Sequence, residues 1–367
     1  MGVGLSPGRI WTRRGFLGTL SLASLAGSQP GRQFPAERFV YADRATEFQV
    51  TRFTSPNHNS YLPGYPNRFI SRKFGYLLYS SDRTGSAQAY ELDLRTGISR
   101  LVTAAAELAA WSLHLLPDQR HFLYVDGGKL VRGAVRRPGA HVVHRLPELV
   151  RYDTGLSVSD DGRRAVFVET DGRKWRLRLL DLRRRQVSTV LEDAERLSGV
   201  QIRPRHQEVL YRKNGGWWIV DFKRKRPRRL ELAPGLAAGA MWSQTGVSVL
   251  YLSIPEHKGR LNTLREYFAD TRQDRLIAKT TQFVSFGANA NTSVFVGASG
   301  ARATPYVFLM LRVGGRELTL CEHRASHPEN VQPVFSPDSR WIYFQSDREG
   351  HNCLYGVRVE GLVESTD

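Results

Sequence analysis

Residues 334–359 read V-F-S-P-D-S-R-W-I-Y-F-Q-S-D-R-E-G-H-N-C-L-Y-G-V-R-V, and their reading decides the fold. Phe335-Ser336-Pro337-Asp338-Ser339 is a turn, because proline presets φ and Asp or Ser can bond nearby backbone. The spacing predicts a strand over 340–345, a second turn at Asp347-Arg348-Glu349-Gly350, and a last strand over 353–359. Strand, acidic turn, strand is the grammar of one propeller blade, and it recurs upstream.

Working outward, a first strand with period-2 alternation is expected over 48–54, followed by an aromatic and proline-rich loop over 55–68. Repeats then fall at about 69–103, 111–146, 154–192, 199–232, 240–279 and 283–322, with the opening stretch as the seventh. The outer half of the fifth repeat is less regular, so 263–268 reads as a short helix or loop. The seventh repeat lacks an outer strand, which 48–54 would supply. The expectation is an all-β, seven-bladed β-propeller closed by the N-terminal strand, occupying 48–359 as one domain. Before it would stand an extended segment over 31–47, and after it a tail over 360–367. A twisted two-sheet sandwich is the alternative, but it leaves the repeat count unexplained.

The chain has 367 residues and a formal charge of +18. Residues 1–30 hold Arg9, Arg13 and Arg14 and no acids, which leaves +15 on the rest. Such a balance suits acidic sugars, nucleic acid or a membrane surface, or is simply arginine spent on a solvated face. The runs Arg183-Arg184-Arg185 and Lys223-Arg224-Lys225-Arg226 fall in turns between outer strands. They would attract an anionic polymer or lipid headgroups, or remain solvated. No base-stacking motif interleaves them, so no nucleic-acid partner is expected. The two cysteines, Cys321 and Cys353, form no C-x-x-C; they are either bridged or two buried thiols.

Thr12-Arg13-Arg14-Gly15-Phe16-Leu17 fits the twin-arginine export pattern. A mildly apolar run over 17–26 and the small residues Ala26-Gly27-Ser28 follow it, completing a signal peptide over 1–30. The run is too short to remain as a transmembrane anchor. A periplasmic or secreted bacterial protein is implied.

The S-P-D-S and S-D-R-E-G turns resemble those of TolB-like propellers. Longer strings resemble the oligogalacturonide lyase family, seven-bladed propellers that cleave pectin fragments by β-elimination. These strings are Val50-Thr51-Arg52-Phe53-Thr54 with its aromatic loop, Leu92-Asp93-Leu94 with Leu101-Val102-Thr103, Leu320-Cys321-Glu322-His323, and 333–350. The resemblance implies action on uronate oligosaccharides, and an acidic oligosaccharide or envelope component as partner. The alternative it leaves is a non-catalytic TolB-like propeller that binds a glycan or an envelope protein. It further implies a Mn2+-type ion, held in the family by three histidines and a glutamine. Here the matching positions carry Asn330, Gln332 and Ser285, with His327 near the glutamine position. The family's basic histidine falls near Gly239 and its substrate arginine near Gly216.

Candidate site residues are those just before each innermost strand, where one mouth of the channel would lie. In the first repeat these are His58, Tyr61, Tyr65, Asn67 and Arg68, with the tyrosines stacking sugars and Arg68 gripping a carboxylate, or the whole serving as a stiff cover. His327, Asn330 and Gln332 would hold a metal or sugar hydroxyls, or satisfy strand-end backbone. His323 is either a support for that set or an ordinary strand-end residue. Trp111, His114, Tyr152 and Trp242 would line the mouth or pack between blades.

Overall fold

The computed structural model describes residues 29–64, 66–137, 139–257 and 259–363. It is a seven-bladed β-propeller of antiparallel sheets arranged around a channel. The twin-arginine motif and Tyr65 lie outside the described residues.

Blades two to six are four-stranded meanders, as in His114–Leu115, His121–Asp126, Lys129–Ala134 and Ala140–Arg145 of blade two. Each inner pair turns through an Asp, Ser or Gly connection whose side chains cap the backbone. Ser336 Oγ, for instance, donates to Asp338 at 2.5 Å and accepts from Trp341 N–H at 2.9 Å. Apolar residues alternate between neighbouring blades. Leu210, Trp217 and Ile219 of blade four pack on Val249, Tyr251 and Tyr267 of blade five. Each such fully buried side chain contributes about 1.5–3 kcal/mol relative to exposure.

Blade seven draws on both ends of the chain. Its strands are Val334–Phe335, Trp341–Ser346, Cys353–Arg358, then Gln49–Arg52 and Phe39–Ala42. Val50 lies opposite Val357 and Arg52 opposite Tyr355. The segment before Gln49–Arg52 is thus itself part of the sheets. Phe39–Ala42 extends blade seven, while Gln33–Phe34 pairs with Ser99–Leu101 at the rim of blade one, so one strap spans the seam. Cys321 and Cys353 are both buried free thiols, and burial raises the pKa of each, that of Cys353 to about 11.

Two local readings of the sequence change. Residues 263–268 are neither helix nor loop but belong to the strand Asn262–Phe268. Its Glu266 is turned inward, where it accepts from Ser248 Oγ at 2.6 Å and pairs with Arg312. That buried charge hides the strand's alternation. The inner strand of blade one is split into Ser60–Tyr61 and Ile70–Ser71, both paired with Tyr76–Ser81. Residues 62–69 are an insertion between them.

In an antiparallel meander, the first-to-second and third-to-fourth connections lie at one end of the channel. The second-to-third connections and the links to the next blade lie at the other. These two ends are called the turn face and the link face below.

Candidate functional site

On the link face, one glutamine ties together the two loops that the sequence nominated. Gln345, in Trp341–Ser346, accepts the Leu62 N–H at Oε1 (2.8 Å) and donates from Nε2 to the Asn330 carbonyl (2.7 Å). Tyr61 and Asn330 are thereby brought to one mouth. Asp82 holds Asn59 through the backbone N–H (2.9 Å) and Nδ2 (3.0 Å). Asp347 accepts the Ser326 N–H at 2.8 Å, fixing the start of the other loop. Burial raises the Tyr61 pKa, and the charges of Asp82 and Asp347 add to the effect, so the phenol keeps its proton near neutrality. His58 stands half-buried just before Asn59.

His327 precedes the 3-10 turn Pro328–Asn330 and is exposed, with Nδ1 3.3 Å from Glu329. Gln332 adopts a left-handed φ of 46° that returns the chain to the inner strand. Behind this link Gly287 packs so tightly that a Cβ would stand 2.5 Å from the Pro333 carbonyl. His323 is an ordinary buried residue. Its Nε2 meets the Ser299 carbonyl at 3.0 Å, its Nδ1 accepts Ala325 N–H, and burial lowers its pKa to about 4.

The end of the 62–69 insertion runs elsewhere. Asn67 spends its amide on the carbonyls of Trp111 and Leu113, at 3.0 and 3.1 Å. Arg68 reaches blade three, donating to the carbonyls of Val158 and Ser159, both at 3.2 Å, and to Asp160 at 3.3 Å. Arg68 lines a cavity of about 690 Å³ whose wall is built from turn-face residues such as Arg72, Pro117, Asp160, Arg205, Gln244 and Pro337. The expected grouping of Arg68 with Tyr61 and Gln332 is therefore corrected. Its guanidinium is a strut across the channel, and its pKa is lowered by burial against the opposing pull of Asp160. His114 and Trp242 line that same cavity, while Trp111 packs beside blade three and Tyr152 packs on Phe167.

The residues that the resemblance matches to the metal positions do not fit a Mn2+-type ion. Ser285 Oγ is turned to the Pro328 carbonyl at 3.3 Å, and the rest are two neutral amides and one imidazole. Among the described residues, no group of three or more His, Cys, Asp or Glu stands close enough to hold a metal. A carboxylate-free set of this kind is a poor seat for a hard cation.

No protein-family model matches the chain. The oligogalacturonate lyase of Dickeya dadantii is 22% identical over 389 residues, covering 91% of this chain and 99% of that protein. The oligogalacturonide lyase of Pectobacterium atrosepticum gives the same identity and coverage over 390 residues. A solved oligogalacturonate lyase in complex with manganese superposes with a TM-score of 0.83. It is 21% identical and covers 90% of this chain and 98% of its own. The chain has the fold of the oligogalacturonide lyases. A second lyase structure, from Vibrio parahaemolyticus, superposes with a TM-score of 0.82 at 18% identity, covering 90% and 99%.

Two further positions that the resemblance singled out, Gly239 and Gly216, are tightly packed. Gly239 has φ of 61°, and a Cβ on it would come within 3.2 Å of the Phe286 ring; at Gly216 it would meet Arg229 Nε at 3.1 Å. A side chain at either place would require its neighbour, the Phe286 ring or the exposed Arg229, to move by a few tenths of an ångström. Gln345, Asp82 and Asp347 were not singled out as site residues in the sequence, where Asp347 read only as part of a turn. A glutamine at the inward end of W-I-Y-F-Q-S was the available signal for the first.

Proposed function

We propose that this chain is an exported lyase-type propeller acting on uronate oligosaccharides by β-elimination at its link face. The reading is carried by the match to lyases along nearly their whole length, in sequence and in fold. In β-elimination a base removes the C5 proton, those electrons form the C4–C5 double bond, and the C4–O bond breaks as the leaving oxygen gains a proton. The link face supplies groups of these kinds. Asn330 and Gln332 offer N–H donors to a carboxylate, His327 an imidazole to take a proton, and Tyr61 a phenol to give one. His58 flanks them. No ion enters the scheme, because the residues present do not fit one.

The test is the ultraviolet absorbance of unsaturated product from digalacturonate, with and without added manganese. Product should form equally in both, and His327→Ala or Tyr61→Phe should lower the rate about 100-fold. No product at high protein concentration would overturn the catalytic reading. One observation favours a second reading, a non-catalytic glycan-binding propeller: the two places matched by resemblance to the family's basic histidine and substrate arginine, 239 and 216, are tightly packed glycines. Retention on immobilised pectate without product formation would establish it.

Export rests on the Thr12–Leu17 pattern, and no described helix is long and apolar enough to cross a membrane. Changing both Arg13 and Arg14 to lysine should confine the chain to the cytoplasmic fraction. Undiminished release from the double variant would remove the twin-arginine route.

A further inference from the structure

The charge of this protein is distributed very unequally between its two faces. Counted along the sequence between strand ends, the turn-face connections hold 20 Lys and Arg against five Asp and Glu. The link-face connections, leaving aside the 62–69 insertion, hold nine against ten. Nearly all the excess positive charge of the connections thus lies on the end away from Tyr61 and His327. Arg183, Arg184, Arg185, Lys223, Arg224, Lys225 and Arg226 are all exposed, and none forms a salt bridge among the described residues. The nearby acids do not neutralise them at contact. Asp181 and Asp221 accept backbone N–H groups of the following residues, from Arg183 and Arg184 and from Lys223 and Arg224.

The backbone adds an independent sign. The outer turn of blade one closes through Gly97, with φ of 78° and a 2.8 Å bond from its N–H to the Asp93 carbonyl. Arg185, Lys225 and Arg272 occupy the same place in blades three, four and five, with φ of 57°, 53° and 57° and the same bond. Arg205, at the rim of the cavity, has φ of 60°. Glycine adopts this left-handed conformation without steric cost, whereas a side chain does not. Turn geometry therefore disfavours the basic residues at all four places.

We propose that the turn face is a second carbohydrate site, binding a carboxylated polysaccharide across its rim with a segment entering the cavity. The choice of a sugar polymer among anions rests on the uronate reading above. Shape favours it over a lipid surface. A cavity of about 690 Å³ is concave, and it is lined by Trp242, Gln201 and Arg68. A flat layer of headgroups would leave it unfilled. The exposed large apolar side chains in these connections, Ile98, Val247 and Val313, are scattered over three blades rather than clustered for insertion. His114 in the cavity wall is 3% exposed, and apart from the backbone of Leu156 its ring has no polar partner. Such a group calls for a polar partner inside the channel.

The experiment compares the protein with a variant carrying Arg185→Gly, Arg205→Gly, Lys225→Gly and Arg272→Gly. A control variant loses as many charges from the link face, through Arg173→Gln, Lys174→Gln, Arg260→Gln and Arg302→Gln. Affinity for polygalacturonate, its fully methyl-esterified form and phosphatidylglycerol vesicles is measured at low and physiological salt. The glycine variant should bind polygalacturonate about ten-fold more weakly, with no fall in melting temperature, and the control close to normally. The esterified polymer should bind neither variant nor parent. Unchanged binding in the glycine variant, equal weakening in the control, or binding to vesicles alone would overturn the proposal. Digalacturonate is too short to span the rim, so product formation from it should be the same in all three proteins. The two sites therefore stand or fall separately.

Discussion

Replacing Arg203 by methionine is expected to cost about 3 kcal/mol of stability while leaving the link face unaltered. Arg203 is 2% exposed and joins blade four to blade five. Its Nε donates to the Gly246 carbonyl at 2.6 Å, Nη1 to Glu208 at 2.7 Å, and the fork holds both oxygens of Asp270 at 2.9 and 2.8 Å. The guanidinium also lies 5.1 Å from the centre of the Trp242 ring. Methionine would fill the volume but leave that carbonyl and two carboxylates without their donor. Lysine should rescue little, because it lacks the planar fork.

The same contact predicts a pH dependence. The hydrogen bond from Arg203 holds the Asp270 carboxyl below its ordinary pKa. That contribution is complete above the ordinary carboxylate range and fades as pH falls through the lowered folded value. Denaturant melts should therefore show the gap between wild type and variant narrowing in acid. Asp270 is 69% exposed, so its share is the smaller part of the total. A gap of under 1 kcal/mol at neutral pH would show that the blades do not depend on this joint.

The larger effect is expected at the seam. Val50 is fully buried opposite Val357, in a cluster with Cys353, Tyr355 and Val359. Val50→Asp places an unpaired carboxylate in that cluster and should cost more than about 4 kcal/mol. It should also free the edge of Cys353–Arg358 to recruit other chains, visible as oligomers by light scattering. Val40→Asp, on the outermost strand of the same blade where Val40 is 46% exposed, should stay within about 0.5 kcal/mol of wild type. Equal losses at the two positions would mean that the seam is not where the ring is held.

Repeats were legible because the signal is local. A Ser-Pro-Asp-Ser turn, an alternating strand and an Asp-Gly return are adjacent in sequence, and each blade repeats them. What resisted reading was whatever depends on distant partners. The inner strand of blade one is two pairs of residues with an insertion between them, too short to show a period. Asn262–Phe268 was obscured by Glu266, whose inward turn makes sense only with Arg312 beside it. Arg68 follows Tyr61 by seven residues, yet its side chain travels to blade three, since an insertion gives no clue to its direction. Tyr61 and Asn330, by contrast, were expected at one mouth from the pairing of the chain ends, and Gln345 shows the contact that joins them.

Closure through Val50 and Val357 also fixes the timing of this protein's birth. The strand Gln49–Arg52 has its neighbour far along the chain, in Cys353–Arg358, so the circle can be joined only once that distant strand has been made. Any machinery that threads the chain through a membrane as it is synthesised must leave that joining to the far side. A carrier of finished proteins would deliver the circle already locked.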